Sequence, residues 1–163
     1  MSKKIIGNVD LTNLYLKRLP DILKDITVSG NFYCNYNNLT SLEGAPKSVG
    51  GDFDCYHNKL TSLIGAPKTV GGYFRCDYNN LTSLEGSPSS VGRHFSCIHN
   101  YLTSLEGCPK TIGGDFYCGF NNLTSLDGAP EYVGGEFYII NNPGKFTETQ
   151  VRALCDVKGN VYV

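Results

Sequence analysis

Asp52 and Asp54 stand two positions apart in a stretch whose alternation reads as a β-strand, so their carboxylates emerge on one face about 6.6 Å apart. That separation suits an inverting glycosidase, in which one carboxyl group protonates the leaving group and the other activates water. Such chemistry needs a water-excluded cleft that drives the two pKa values apart. An open sheet face supplies none, and Arg75, 21 residues after Asp54, is expected to pair with it. The chain is therefore expected not to be an enzyme. His57 and His99 lie two such steps apart, about 10 Å in stacked strands, too far to ligate one metal ion together. No metal site and no cofactor are expected.

Seven cysteines could carry disulfide or zinc chemistry, yet Cys34, Cys55, Cys76, Cys97 and Cys118 recur every 21 residues where the pattern demands an apolar side chain. Free cysteine behaves as a small hydrophobe, and a column of buried thiols fits a reducing cytoplasm. In-register side chains of neighbouring coils run parallel, which disfavours a disulfide although the spacing permits one. A ladder also spreads its sulfurs along a line, whereas tetrahedral zinc needs convergent ligands.

The elements that position these residues come from that period. Phenylalanine returns at Phe32, Phe53, Phe74, Phe95, Phe116 and Phe137, and asparagine at Asn37, Asn58, Asn79, Asn100, Asn121 and Asn142. Leucine pairs such as Leu60/Leu63 and prolines such as Pro67 keep the same step, and a fixed period of this length means a solenoid. Within a unit, Phe-x-Cys alternates as a short parallel strand of about five residues, with Phe and Cys inward. The asparagine then turns the chain, its amide serving backbone groups of its own and the adjacent coil. Leu60 and Leu63 refill the interior, and Gly-Ala-Pro and Val-Gly-Gly form an extended return arm without helical period.

One repeat domain over residues 1–163 is expected. Residues 1–30 form an N-terminal capping coil and a first turn two residues longer than the rest, with the surplus between Leu19 and Val28. Residues 31–142 hold the regular units. In residues 143–163, Thr147 and Gln150 form a capping-box signature, Val151, Leu154 and Cys155 follow at helical spacing, and Val161-Tyr162-Val163 aligns with one more strand. About eight parallel strands result, closed by a short C-terminal helix.

The string Phe53-x-Cys55-x-x-Asn58-x-Leu60-x-x-Leu63 resembles the leucine-rich repeat signature L-x-L-x-x-N-x-L-x-x-L over at least five consecutive units. It looks like the short 21-residue repeats common in bacterial, bacteriophage and large-virus reading frames. Phe and Cys replace the usual leucines, and Val49 lies four rather than three positions before Phe53. The resemblance implies a leucine-rich-repeat-like β-solenoid, used as a binding scaffold that presents its strand face. It implies nothing about the identity of the partner.

The columns the period does not dictate carry the functional information. Outward positions are crowded with aromatics and short acids, and the candidate partner-binding residues are Asp52, Asp54, Tyr73, Arg75, Asp77, Tyr78, His94, Ile98, His99, Tyr117, Phe120, Tyr138 and Ile140. Tyrosine gives contact area at low entropic cost, and arginine is a hot-spot residue type. β-propensity alone favours aromatics on any pleated surface, but a sheet needing only solubility would show Thr, Lys and Glu. A protein partner is expected, since charge is depleted around Ile98 and Gly119. The alternative is a carbohydrate or small ligand stacked on Tyr33, Tyr56, Tyr73 and Tyr117. With nothing fused to the array, its effect is expected to come from occupying a surface, as an inhibitor carried by a phage or mobile element would.

Composition narrows the partners further. The 163 residues carry a formal charge of -1, and their Lys and Arg are scattered, which argues against nucleic acid. The basic start lacks the apolar run of a signal peptide, and no segment is long enough to span a bilayer, so a cytoplasmic location without membrane contact is expected.

Overall fold

The structure, a computed structural model, describes residues 3–163. The chain winds into a β-solenoid whose coils stack in register, each contributing one short strand to each of two parallel eight-stranded sheets. The facing sheet comprises Val9–Asp10, Phe32–Tyr33, Phe53–Asp54, Phe74–Arg75, Phe95–Ser96, Phe116–Tyr117, Phe137–Tyr138 and Val161–Tyr162. Its register sets phenylalanine beside phenylalanine, Phe53 against Phe74 and Phe95 against Phe116.

The second sheet occupies the return arm, which the sequence suggested was merely extended. It consists of Lys4–Ile5, Thr27–Val28, Ser48–Val49, Thr69–Val70, Ser90–Val91, Thr111–Ile112, Tyr132–Val133 and Asp156–Val157. The glycines after these strands are required by proximity: a Cβ at Gly92 would collide with the carbonyl oxygen of Gly71 in the coil below. Every facing strand is two residues long, shorter than expected, yet inter-coil bonding continues past it. Phe53, Cys55 and His57 each donate their N–H to the next coil, at 2.8–3.0 Å. The anticipated five-residue span therefore survives as a hydrogen-bonded segment.

Between the sheets lies a core of Phe, Cys, paired Leu and Val or Ile from the return strands, all buried. Phenylalanine rings stack coil upon coil, with centroids 5.4 Å apart for Phe32 and Phe53 and 5.1 Å for Phe53 and Phe74. Burying each such ring contributes roughly 1.5–3 kcal/mol. All seven cysteines are buried free thiols. Several of the column thiols donate to the next coil, as Cys76 does to the carbonyl of Ser96 at 3.2 Å, and burial pushes the Cys76 pKa well above the usual thiol range.

The asparagines form the second ladder. Asn79 Nδ2 donates to Cys76 O in its own coil and to Cys55 O in the preceding one, both at 3.1 Å, while its Oδ1 accepts from Leu60 N at 3.0 Å. Each amide thus serves its own coil and one adjacent coil, the one before. The ends follow the sequence reading in outline. A 3-10 turn at Asp21–Leu23 absorbs the surplus of the first turn, and the helix Glu148–Leu154 carries the capping box between Thr147 and Gln150. Val151 and Cys155 are buried there, but Leu154 points to solvent. Arg152 ties the helix to the last coil by donating to Val157 O and Gly159 O at 2.7 and 2.8 Å. Among the described residues, no helix is long and apolar enough to cross a membrane.

Candidate partner-binding face

The outward columns of the facing sheet are built by one rule. Alternation hides Phe and Cys, so the residues before, between and after them stand outward and stack on their equivalents every 21 positions. In the column before phenylalanine, the short polar side chains accept the backbone N–H of the next coil: Asn31 from Asp52 at 2.8 Å, Asp52 from Tyr73 at 2.9 Å, and Asp115 from Glu136 at 2.8 Å. His94 Nδ1 also faces the amide of the next coil, 2.9 Å from Asp115 N, and lies 3.1 Å from Asp115 Oδ2. Burial opposes ionisation of Asp115, but the Glu136 amide, the Tyr117 hydroxyl and His94 outweigh it and hold the carboxyl group below its ordinary range.

These acids also fix the tyrosines. Tyr117 donates its hydroxyl to Asp115 at 2.8 Å, and Tyr138 donates to Glu136 at 2.6 Å, each reaching back two residues along its own strand. The rings then stack, Tyr117 on Tyr138 at 4.8 Å and Tyr138 on Tyr162 at 4.3 Å. Burial and the Asp115 acceptor raise the Tyr117 pKa to about 12, so its hydroxyl remains a donor. For Tyr73, burial and the charges of Asp54 and Asp52 likewise push it up to about 12.

Arg75 departs from expectation. Its Nε bonds Asp77 Oδ2 at 2.8 Å, and its guanidinium lies 4.2 Å from the centre of the Tyr56 ring, so it does not pair with Asp54. The reason is local geometry: Asp77 lies on the same side of the same strand, and the Tyr56 face supplies a second favourable contact in that direction. Asp77, buried, also accepts from Ile98 N at 3.0 Å and from the Ser96 hydroxyl. Asp54 is buried as well, 7 % exposed, and accepts from Tyr56 N at 2.9 Å. Burial pushes its pKa up, against the opposing pull of that amide and of Arg75.

Nine of the thirteen candidate residues fall into two hollows, and Asp52, Asp54, Tyr138 and Ile140 lie outside them. Tyr73, Arg75, Asp77, His94, Ile98 and Tyr117 line one of about 440 Å³, at the centre of the face. Tyr78, His99 and Phe120 line a neighbouring one of about 460 Å³, together with His57 and Tyr101. Asp52 stands beside the first, Tyr138 extends its tyrosine row, and Ile140 is exposed near the C-terminal end. Tyr101 and Tyr162 escaped the sequence reading. Each carried a signal: Tyr101 replaces the polar residue found after Asn37, Asn58, Asn79 and Asn121, and Tyr162 continues the Tyr117–Tyr138 column once the last strand is aligned.

The second hollow has an unusual backbone. Tyr36, His57, Tyr78, His99 and Phe120 all adopt left-handed conformations, with φ between 51° and 56°. Bulky side chains rarely do so, at roughly 1–2 kcal/mol each. Two compensations are visible. Their rings stack, Tyr78 on His99 at 4.3 Å and His99 on Phe120 at 4.5 Å, and their amides bond the next coil, as Tyr78 N does to Ile98 O at 3.1 Å. Among the described residues, no three His, Cys, Asp or Glu side chains converge as a metal site would require. Comparison with models of known protein families gave no match, and comparison with curated proteins gave none either.

Proposed function

We propose that this solenoid is a non-enzymatic protein-binding module that presents its facing sheet to a partner protein. The observation that carries the reading is the preorganised tyrosine row, in which Tyr117 and Tyr138 are locked by acids on their own strands and by each other's rings. Aromatic side chains already fixed in position lose little entropy on binding and are common anchors in protein interfaces. The same stacking weakens the carbohydrate alternative. A sugar needs an open ring face, yet Arg75 covers a face of Tyr56, and Tyr138 covers one of Tyr117. Asp52 and Asp54 are each held by a backbone amide, which suits a structural role better than acid–base work.

The finer assignment follows the resemblance. The unit is similar to short leucine-rich repeats, and we place the protein in the cytoplasm as an inhibitor of a host protein, carried by a phage or mobile element. Seven free cysteines without a disulfide support that compartment. The test is affinity capture from host lysate, followed by hydrogen-exchange mapping on the complex. Protection of Tyr73–Tyr138 on the facing sheet, with capture lost in Tyr117→Arg and retained in Glu106→Arg on the return arm, is the expected result. Protection confined to the return arm would overturn it.

A further inference from the structure

We propose that the row Tyr36, His57, Tyr78, His99 and Phe120 receives a proline-rich segment of the partner, lying along the solenoid axis as a polyproline II helix. This rests on the reading of the face as a protein-binding surface. The row has its own period. Phenol or phenyl rings stand on every second coil, at Tyr36, Tyr78 and Phe120, with imidazoles between them. Two coils advance about 9.6 Å, and one three-residue turn of a polyproline II helix advances about 9.3 Å. Residues i and i+3 of such a segment therefore meet the same kind of ring. Asn13 and Asn141 bound the row, whose five coils match about six residues of the extended helix.

Charge and hydrogen bonding select the same occupant. No lysine, arginine, aspartate or glutamate lines the hollow beside this row. The asparagine amides beneath it are spent on backbone, as Asn100 Nδ2 is on Cys97 O and Cys76 O, both at 3.1 Å. The polar groups that remain are the hydroxyls of Tyr78 and Tyr101 and the imidazoles of His57 and His99, and each carries a hydrogen to donate. A proline offers a carbonyl oxygen and no N–H, so a proline-rich segment brings acceptors alone. It is also uncharged, and its backbone is already in the docked form, which reduces the entropy lost on binding. Grooves lined by aromatic rings hold such segments in general.

The backbone is a second, independent observation. Asparagine tolerates the left-handed conformation and holds it at both ends of the row, yet five successive coils between Asn13 and Asn141 place bulky rings there. Strain kept at five positions where asparagine would serve the fold points to a surface retained for contact. The rings are open to it: Tyr36, Tyr78 and Phe120 are 43–47 % exposed, and Tyr101 is 55 % exposed.

The test titrates deca-proline, and separately a flexible decapeptide of alternating glycine and serine, against the isotope-labelled intact chain by NMR. Deca-proline should shift the amides of His57, Tyr78, His99, Tyr101 and Phe120, while the glycine–serine peptide leaves them in place. Binding should weaken about tenfold in Tyr78→Asn and remain as in the parent in Glu85→Gln on the return arm. Asparagine suits the left-handed backbone, and Tyr101→Asn, which repeats Asn80 and Asn122, provides a second arm should the first variant not fold. The proposal fails if deca-proline does not bind, if it shifts only other regions, or if neither variant weakens it. Equal binding of the glycine–serine peptide would also overturn it, since the preformed helix would then count for nothing. The Tyr117→Arg capture result judges the binding face separately. With capture lost in that variant and deca-proline inert, the face stands and the partner engages it through another kind of segment.

Discussion

Arg75 reaches along its own strand to Asp77, with Nε 2.8 Å from Oδ2, and acts on Asp54 of the preceding coil without forming an ion pair with it. Removing the guanidinium would strand a carboxylate that is 2 % exposed. Arg75→Ala is therefore expected to lower stability by about 1–2 kcal/mol, less than for a fully buried pair because the arginine is partly open to water. Urea midpoints check this, and an unchanged midpoint would mean that Ser96 and Ile98 suffice to hold Asp77.

Asp54 and Asp115 should respond to pH in opposite directions. The folded pKa of Asp54 lies above the ordinary value of 3.8, so its contribution favours folding below that value and is lost as pH rises through the raised folded pKa. Asp115 lies below 3.8 in the folded chain, so its contribution is present above that pH and is lost as pH falls through the depressed folded pKa. At neutral pH, Asp54→Asn should thus raise the melting temperature and Asp115→Asn lower it, and both differences should shrink toward pH 3. Shifts of the same sign at neutral pH would contradict this assignment.

The asparagine ladder predicts a gradient. Asn79→Leu orphans Leu60 N in a dry interior, at about 1–3 kcal/mol, while the carbonyls of Cys55 and Cys76 lose one of two amide donors and keep Asn58 and Asn100. Asn142 makes equivalent bonds to Leu123 N, Cys118 O and Ile139 O, but it is only half-buried, so water can replace part of what leucine removes. Chemical denaturation should show the central variant to be the more damaging. Equal losses would mean that burial does not set the cost.

The left-handed aromatics predict near-neutral substitutions. Phe120→Asn removes one stacking partner of His99, worth about 0.5–1.5 kcal/mol, and relieves backbone strain of similar size. Asn141 already occupies the equivalent position one coil on, at φ 57°. Thermal stability should stay within about 1 kcal/mol of the parent. A drop beyond twice that would make the ring a structural requirement rather than a surface feature.

Period made most of the fold legible. A 21-residue step assigns every residue to a column, so the Phe and Cys core, the asparagine ladder and the parallel register could be read before any coordinate. The return sheet escaped because two residues such as Ser48–Val49, followed by glycines, are too short to show alternation. The left-handed turn escaped because Tyr, His and Phe hide it, and only Asn13 and Asn141 carry the usual signal. Columns also say nothing of where a long side chain bends. Arg75 had acids within reach on two coils, and the ring of Tyr56 together with Asp77 decided between them.

Because each asparagine completes the coil before it, every interior unit has the same needs at its lower and upper boundaries. Asn100 closes Leu81 N as Asn79 closes Leu60 N, both at 3.0 Å. A gene segment encoding 21 residues could therefore be duplicated or excised within the array without orphaning an amide. Copy number becomes a heritable variable, and the reach of the protein can change in single steps while its two ends stay as they are.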